Sequence, residues 1–85
     1  MKADLNARKH HVTLQEATTV FADPLSLTIP DTLHSTPNDE RFVTLGLSHT
    51  GRLLVVVHSD LGERIRIIGA RNATRREQAT YEQES

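Results

Sequence analysis

The chain has 85 residues, a formal net charge of −1 and no cysteine. This length predicts a single domain over residues 1–85, with a small core of marginal stability. The lack of cysteine excludes a disulfide framework and a thiolate nucleophile or metal site. The longest apolar run, Leu53 to Val57, is far too short to span a membrane, and no signal peptide opens the chain. We therefore expect a soluble cytoplasmic protein that does not enter a membrane.

The charges are unevenly distributed along the chain. Between residues 52 and 76 there are six arginines and two acidic residues, a local charge of +4. The last nine residues carry three glutamates and no basic residue. The arginines of the basic segment are Arg52, Arg64, Arg66, Arg71, Arg75 and Arg76. A segment of this kind favours binding to phosphate groups, although the whole chain is not basic.

Two helices are predicted near the N-terminus. Residues 3–10 have the composition of a short helix. Thr13 and Glu16 have the spacing of a capping box that begins a second helix. The apolar stripe of this second helix consists of Leu14, Ala17, Val20 and Phe21. Asp23 and Pro24 are predicted to end it.

A strand and a long polar loop follow these helices. Residues 25–29 alternate between apolar and polar side chains, which predicts a strand that ends at Pro30. Residues 30–40 are polar and carry turn-forming residues at both ends. A loop of this length fits either a functional segment or a flexible surface connection.

Residues 41–68 predict three further antiparallel strands. Three apolar runs are separated by His49–Gly51 and Asp60–Gly62, and each connection ends in the glycine that a positive φ favours. If each turn closes on its flanking residues, Ser59 faces Glu63 in the second hairpin. One face of the sheet would then be fully apolar. Its residues would be Val43, Leu45, Leu47, Leu53, Val55, Val57, Ile65 and Ile67.

The opposite face of the predicted sheet combines apolar residues with cations. Its rows would be Phe42–His58–Arg64, Thr44–Val56–Arg66 and Gly46–Leu54–Ile68. In this register His58, Arg64 and Arg66 form a cluster on an open half of the face. The cluster fits a binding surface, and it equally fits cations that solvate an edge strand.

A C-terminal helix is predicted from Arg75 to about Gln83. Thr74 and Glu77 form a second capping box at its start. We expect this helix to cover Leu54 and Ile68. In that position it would bring Arg71, Arg75 or Arg76, and Tyr81 towards the cluster.

Few kinds of chemistry fit these residues. The five histidines lack metal-ligand spacing, and no nucleotide-binding motif is present, so we expect neither a metal nor a cofactor. Cleavage of RNA by its own 2′-OH needs only a base, a proton donor and cations around the phosphate. His58 has a suitable pKa range for proton transfer, and arginines match the geometry of phosphate.

The sequence resembles the BrnT family of toxins from type II toxin–antitoxin pairs. The N-terminal matches are Asn6-x-x-Lys9-His10-x-Val12, Glu16-Ala17-x-x-Val20-Phe21-x-Asp23-Pro24, His34-Ser35 and Glu40-Arg41-Phe42. The C-terminal matches are Thr44-x-Gly46-x-Ser48, Arg66-Ile67-Ile68-x-Ala70-Arg71 and Ala73-Thr74-x-x-Glu77-x-x-x-Tyr81. The resemblance implies a small α+β fold of the RelE type, with about four antiparallel strands, N-terminal helices and one C-terminal helix. It also implies an endoribonuclease that inhibits translation and is neutralised by a BrnA antitoxin.

The chain departs from the family pattern at three places. Family members usually begin with a strand that precedes the lysine matched by Lys2, so the resemblance implies that this first strand is missing. The family's Lys-His-Gly turn reads Lys9-His10-His11, which predicts a non-glycine residue in a left-handed conformation at a cost of roughly 1 kcal/mol. Gly69 replaces a common serine.

These arguments lead to a set of candidate site residues. The catalytic candidates are His58, Arg64, Arg66, Arg71 and Tyr81. The RNA-binding candidates are Lys9, His10, Arg41, Arg75 and Arg76. Glu16 and Glu77 fit helix caps better than catalysts.

Two other functions stay open at the level of sequence. One is a degenerate toxin that binds only its antitoxin, and the other is a nucleic-acid-binding module without catalysis. In each case we expect the protein to self-associate or to bind a partner strand or helix.

Overall fold

The computed structural model describes residues 11–84 and has the predicted α+β architecture. Helix α1 (Leu14–Thr18) continues into a 3₁₀ turn (Thr19–Ala22). The strands are β1 (Leu27–Pro30), β2 (Arg41–Leu47), β3 (Leu53–Asp60) and β4 (Ile65–Asn72), and helix α2 (Arg75–Glu84) follows them. The predicted helix over residues 3–10 and the expectation of a missing first strand lie outside the described residues.

The four strands form one antiparallel sheet in the order β1-β2-β3-β4. The first predicted hairpin is confirmed. The Ser48 N–H donates to the Arg52 carbonyl over 2.8 Å, and Gly51 has a φ of 84°. The register between β2 and β3 is also the predicted one, with Leu47 opposite Leu53.

The second hairpin differs from the prediction. The Leu61 N–H donates to the Arg64 carbonyl over 2.8 Å, so the connection has two residues and Gly62 is the first of them. Gly62 has a φ of 81°, which suits the first position of a type II′ turn. The prediction that Ser59 faces Glu63 is therefore wrong, because Ser59 pairs with Arg66 instead.

A β-bulge changes the register again further along β4. His58 pairs with Ile67, but the next residue of β3, Val57, pairs with Gly69, so Ile68 is the extra residue. The shorter turn places Ile65 and Ile67 on the same side of the sheet as His58, because both lie between the turn and the bulge. Arg66 lies on the opposite side, because successive side chains of a strand point to opposite faces.

The first side of the sheet, which we call the α1 face, is packed against α1 and the 3₁₀ turn. Its buried apolar residues are Val12, Ala17, Val20, Leu54, Val56 and Ala70, and Phe21 and Ile67 pack against them. A Cβ on Gly46 would lie 3.0 Å from Ser26 Cβ and 3.2 Å from the Val20 carbonyl oxygen. The absence of a side chain at Gly46 therefore allows the 3₁₀ turn to approach the sheet closely.

The opposite side, the α2 face, is covered only at one end. There Tyr81 of α2 packs with Leu45 and Val55 in a second buried cluster. Leu27, Val43, Leu53 and Ala73 lie around it and are partly buried. The prediction that the C-terminal helix covers Leu54 and Ile68 is wrong, because α2 packs on the other face. Within residues 11–84, no helix has the length and apolar composition needed to cross a bilayer.

Both predicted N-caps are present at the helix starts, but only the second predicted capping box is complete. Thr13 Oγ1 accepts from the Glu16 N–H over 3.0 Å, and Thr74 Oγ1 accepts from the Glu77 N–H over 3.2 Å. The Glu77 carboxylate also accepts from the Thr74 N–H over 2.8 Å, which completes that box. The Glu16 carboxylate points elsewhere, towards the β2–β3 turn.

Candidate functional site

His58 is a core residue of the α1 face. It is 5% exposed and lies between Phe21, whose ring meets it edge-on at 4.9 Å, and Phe42, which stacks on it at 5.9 Å. His58 Nε2 is 2.7 Å from Thr44 Oγ1. Burial lowers the pKa of His58, although the charge of Asp60 opposes this shift. His58 is thus held as a neutral ring inside the protein.

The prediction that His58, Arg64 and Arg66 share one face is wrong. Arg66 projects from the α2 face and His58 from the α1 face, because the two-residue turn sets the pairing of Ser59 with Arg66. Arg64 lies between the two-residue turn and β4 and is exposed. The proposed catalytic role of His58 stays a prediction, but the arginines do not surround it.

Three of the candidate arginines lie on the α2 face instead. Arg41 of β2 and Arg66 of β4 both pair with Ser59 of β3, so they flank Ser59 in one row across the sheet. We call Arg41, Ser59 and Arg66 the arginine row. Arg71 pairs with Val55 on the same face, nearer to α2. The face therefore presents cations at both ends of an apolar centre.

Asp39 links the side chains of the arginine row. Its Oδ1 accepts from Ser59 Oγ over 2.7 Å, and its Oδ2 lies 3.4 Å from Arg41 Nε and Nη2. The hydrogen bond from Ser59 lowers the pKa of Asp39 most, and the charges of Arg41 and Arg66 lower it further, against a smaller opposing effect of desolvation. Arg66 forms no ion pair within residues 11–84 and is exposed. One carboxylate thus stands near two guanidinium groups and leaves a net positive charge.

Arg71 is held in a fixed orientation by α2. Its Nη1 and Nη2 donate to the two carboxylate oxygens of Glu77, each over 2.8 Å. This bidentate pair, together with the Thr74 N–H and hydroxyl, lowers the pKa of Glu77 to about 2 against the effect of burial. The Arg71 side chain is still 43% exposed, so it remains accessible to a ligand on the α2 face.

The Tyr81 hydroxyl forms a hydrogen bond that connects α2 to the rest of the fold. Its hydroxyl donates to Asp23 Oδ2 over 2.6 Å, and the same carboxylate oxygen accepts from the Leu47 N–H over 2.9 Å. The hydrogen bond to Asp23 raises the pKa of Tyr81 to about 12, and burial acts in the same direction. A phenol in this state is a poor proton donor near neutral pH.

The remaining candidates are spread over the molecule. Lys9 and His10 lie outside the described residues. Arg75 and Arg76 are exposed on the first turn of α2. The structure therefore brings together Arg41 and Arg66 and places Arg71 on the same face. Tyr81 packs against Val55 on that face but its hydroxyl is bound to Asp23, and His58 lies on the opposite face.

Asp39 and Ser59 were not expected at this site. Ser59 meets Arg66 only because the second turn has two residues, and the length of that turn is not visible in the apolar pattern. The spacing of Asp39 and Arg41, two residues apart at the start of a strand, was the one local signal available. The loop before β2 also places His34 Nδ1 2.9 Å from Asp31 Oδ2, with the His34 side chain 62% exposed.

Between the arginine row and α2 the face forms a shallow apolar groove of about 190 Å³. Its walls are Leu27, Ile29, Val43, Leu45 and Val55 from the sheet and Glu77 and Thr80 from α2. Ile29 is 62% exposed there. An open sheet face with arginines around an apolar centre suits a ligand that has both phosphates and flat rings.

The protein is thus a small α+β domain whose open sheet face carries three arginines. The family model described as the ribonuclease toxin, BrnT, of a type II toxin–antitoxin system matches residues 1–77. The chain therefore belongs to the BrnT family of ribonuclease toxins. No curated protein shows a significant match to the chain.

Proposed function

We propose that the protein is an endoribonuclease toxin that uses neither metal nor cofactor and inhibits translation by cutting RNA. In this reaction the 2′-OH of the RNA attacks the adjacent phosphate. Membership of the BrnT family supports the proposal, as does the position of Arg41, Arg66 and Arg71 on one open face. A BrnA-like antitoxin is the partner that we propose for its neutralisation.

The arginine row is the observation that carries this proposal. Arg41 and Arg66 extend from the same face on either side of Ser59, and guanidinium groups offer paired N–H donors that match phosphate. Charge builds up on the non-bridging oxygens as the phosphate becomes five-coordinate, and fixed cations stabilise that charge. In this scheme Arg66 stabilises the transition state, Arg71 assists it, and Arg41, Arg75 and Arg76 bind the RNA backbone.

The role of Arg66 is tested by Arg66→Ala. Loss of one donor to the developing charge typically lowers turnover by about 100- to 1000-fold. We expect kcat at saturating RNA to fall by this factor and RNA affinity to change much less. Arg66 is exposed, so the variant should keep the native circular dichroism spectrum. A folded variant with the wild-type kcat would remove Arg66 from the site.

Arg76→Ala is the matched comparison for this experiment. Arg76 is an exposed arginine on α2, outside the arginine row. Its loss should weaken RNA binding and lower the slope of log K against log salt concentration by about 1. The value of kcat at saturating RNA should stay unchanged. The two variants therefore separate stabilisation of the transition state from attraction of the RNA backbone.

A second function is favoured by one observation. His58 and Tyr81, the residues first considered for proton transfer, are buried and committed to other contacts. A toxin homologue without a proton-transfer group would bind its antitoxin or a nucleic acid and cleave nothing. A wild-type protein that binds RNA but never cleaves it would establish this second function.

A further inference from the structure

The loop between β1 and β2 holds an exposed histidine in a defined orientation. His34 Nδ1 lies 2.9 Å from Asp31 Oδ2, and the His34 side chain is 62% exposed. When the carboxylate accepts the Nδ1 proton, the neutral ring has its lone pair on Nε2. In that tautomer the unprotonated Nε2 faces away from the carboxylate, and the contact with Asp31 orients the ring.

The loop itself is ordered by hydrogen bonds to the start of β2. Ser35 Oγ donates to the Asp31 carbonyl over 2.7 Å and accepts from the Arg41 N–H over 2.8 Å. The Asp31 N–H donates to the Arg41 carbonyl over 2.8 Å. A backbone bridge joins Thr36 and Asp39, with N–H···O distances of 3.0 and 3.1 Å. These hydrogen bonds fix the loop segment of Asp31 and His34 relative to the strand that carries Arg41.

This loop lies at the same end of the sheet as the arginine row. β1 ends at Pro30 and β2 begins at Arg41, so the loop that joins them closes this end. Asp39 of the same loop accepts the hydrogen bond from Ser59 and lies beside Arg41. The loop therefore contributes the Asp39 side chain to the arginine row directly.

The other histidines within residues 11–84 do not fit this position. His58 is buried on the α1 face. His49 lies in the β2–β3 turn, and the His11 carbonyl accepts from Arg52 Nη2 at that same, opposite end of the sheet. His34 is the exposed histidine at the end that carries Arg41 and Arg66.

We propose that His34 is the general base of RNA cleavage and that Asp31 is its positioning residue. The inference rests on the proposed ribonuclease function and adds the proton-transfer group that His58 and Tyr81 do not provide. His34 Nε2 removes the proton of the 2′-OH as the 2′-oxygen forms its bond to phosphorus. The bond from phosphorus to the 5′-oxygen breaks, and the leaving 5′-oxygen takes a proton from water. The products are a 2′,3′-cyclic phosphate and a 5′-hydroxyl.

The test compares His34→Ala with the wild type in a cleavage assay on single-stranded RNA. General-base catalysis contributes typically 10²- to 10⁴-fold, so we expect kcat to fall by about this factor and KM to change little. Added imidazole should restore part of the turnover of His34→Ala, because it supplies the missing base. Asp31→Asn should lower kcat by a smaller factor and should gain nothing from imidazole, because its ring is still present.

His49→Ala is the matched control. His49 is also an exposed histidine, but it lies in the turn at the opposite end of the sheet. This variant should cleave RNA at the wild-type rate, with or without imidazole. Circular dichroism of each variant shows whether the fold is retained, and His34→Gln provides a second substitution if His34→Ala does not fold.

The outcomes separate the two proposals. A wild-type protein that does not cleave RNA would overturn the proposed function and leave His34 without a reaction. A cleaving wild type with an equally active His34→Ala would overturn the role of His34 alone. If folded His34→Ala and His34→Gln lose turnover and imidazole restores neither, His34 orders the loop and is not the base.

Discussion

At the scale of single residues, His11 has an unusual backbone conformation. Its φ of 56° lies in the left-handed region, as the sequence predicted for the Lys9-His10-His11 turn. The carbonyl of His11 accepts a 2.7 Å hydrogen bond from Arg52 Nη2, which helps to hold this conformation. A side chain in the left-handed region costs roughly 1–2 kcal/mol, so the protein stores strain at this position.

We expect His11→Gly to stabilise the protein. Glycine removes the steric strain, but it also increases the conformational entropy of the unfolded chain. This second effect lowers the free energy of unfolding by roughly 0.5–1 kcal/mol. The net gain in the free energy of unfolding should be roughly 0.5–1 kcal/mol, measured by urea denaturation. His11→Ala is the control, since alanine keeps a Cβ and should bring no gain. Equal stabilities of the glycine and alanine variants would show that the strain is absent.

At the scale of elements, α1 depends on its tertiary contacts. A helix of five residues is not stable alone. Besides its apolar contacts, it is fixed by the Glu16 carboxylate, which is buried beside the β2–β3 turn. Glu16 Oε2 accepts from Ser48 Oγ, Thr50 Oγ1 and Arg52 Nε over 2.7, 2.5 and 2.9 Å. Oε1 accepts from Arg52 Nη2. One carboxylate thus joins the first helix to the first hairpin.

Glu16→Gln should therefore destabilise the protein in a pH-dependent way. The hydrogen bonds from Arg52 lower the pKa of Glu16 from its ordinary value of 4.5 to about 2, with help from Thr50 and Ser48 and against desolvation. Because the folded-state pKa is the lower one, the contribution of Glu16 is complete above pH 4.5 and is lost as the pH falls towards 2. We expect the free energy of unfolding of Glu16→Gln to be lower than that of the wild type by an amount on the order of 2 kcal/mol at pH 7.

The measurement is urea denaturation of Glu16→Gln and the wild type at pH 7 and pH 3. The difference between the two proteins should be smaller at pH 3. Glu82→Gln, at an exposed position of α2, is the control and should match the wild type at both values. A difference that stays constant between the two pH values would contradict the assigned role of the carboxylate.

The sequence predicted those elements whose signals are local. The two N-caps, the complete capping box at Thr74 and the first hairpin each depend on a few neighbouring residues, and each is present. Of the predicted apolar stripe, Ala17 and Val20 are buried and Leu14 is exposed. The second hairpin was misread because Gly62 fits both a three-residue connection and the first position of a two-residue turn. The bulge at Ile68 has no local signal. The prediction of the face that α2 covers was also wrong. Tyr81 is the only buried residue of that helix, and one residue does not form an apolar stripe that would indicate which face of the sheet the helix packs on.

The candidate site was predictable to a similar extent. Local charge identified the basic segment, but which arginines share a face depends on register. A change of one residue in the pairing exchanges the two faces of a strand. The observed register removes His58 from the arginines and places Arg66 beside Asp39 and Ser59. The contacts of a site that crosses three strands therefore could not follow from any one segment.

At the scale of the whole molecule, the two faces of the sheet have different surroundings. The α1 face is closed over Val20, Leu54 and Val56, which are fully buried. The α2 face is open between the arginine row and α2. We infer that the α1 face maintains the fold and that the α2 face meets the ligand. This division assigns His58 to stability and Arg66 to function.

His58→Phe tests this division directly. The phenylalanine ring can occupy the space between Phe21 and Phe42, but it loses the hydrogen bond to Thr44. It also removes the buried Nδ1, which has no hydrogen-bond partner within residues 11–84. These two effects oppose each other, so the free energy of unfolding should change by no more than about 1 kcal/mol. RNA at saturating concentration should be cleaved within about threefold of the wild-type rate, since a catalytic proton-transfer group would contribute typically 10²- to 10⁴-fold.

The same assay includes His34→Ala, so the two histidines are compared under one set of conditions. If His34 is the base, only His34→Ala loses turnover, and both variants keep the native circular dichroism spectrum. A folded His58→Phe with a turnover at least 100-fold below the wild type would instead make the buried histidine catalytic. The α1 face would then have to open during the reaction, because Phe21 and Phe42 now separate His58 from any phosphate.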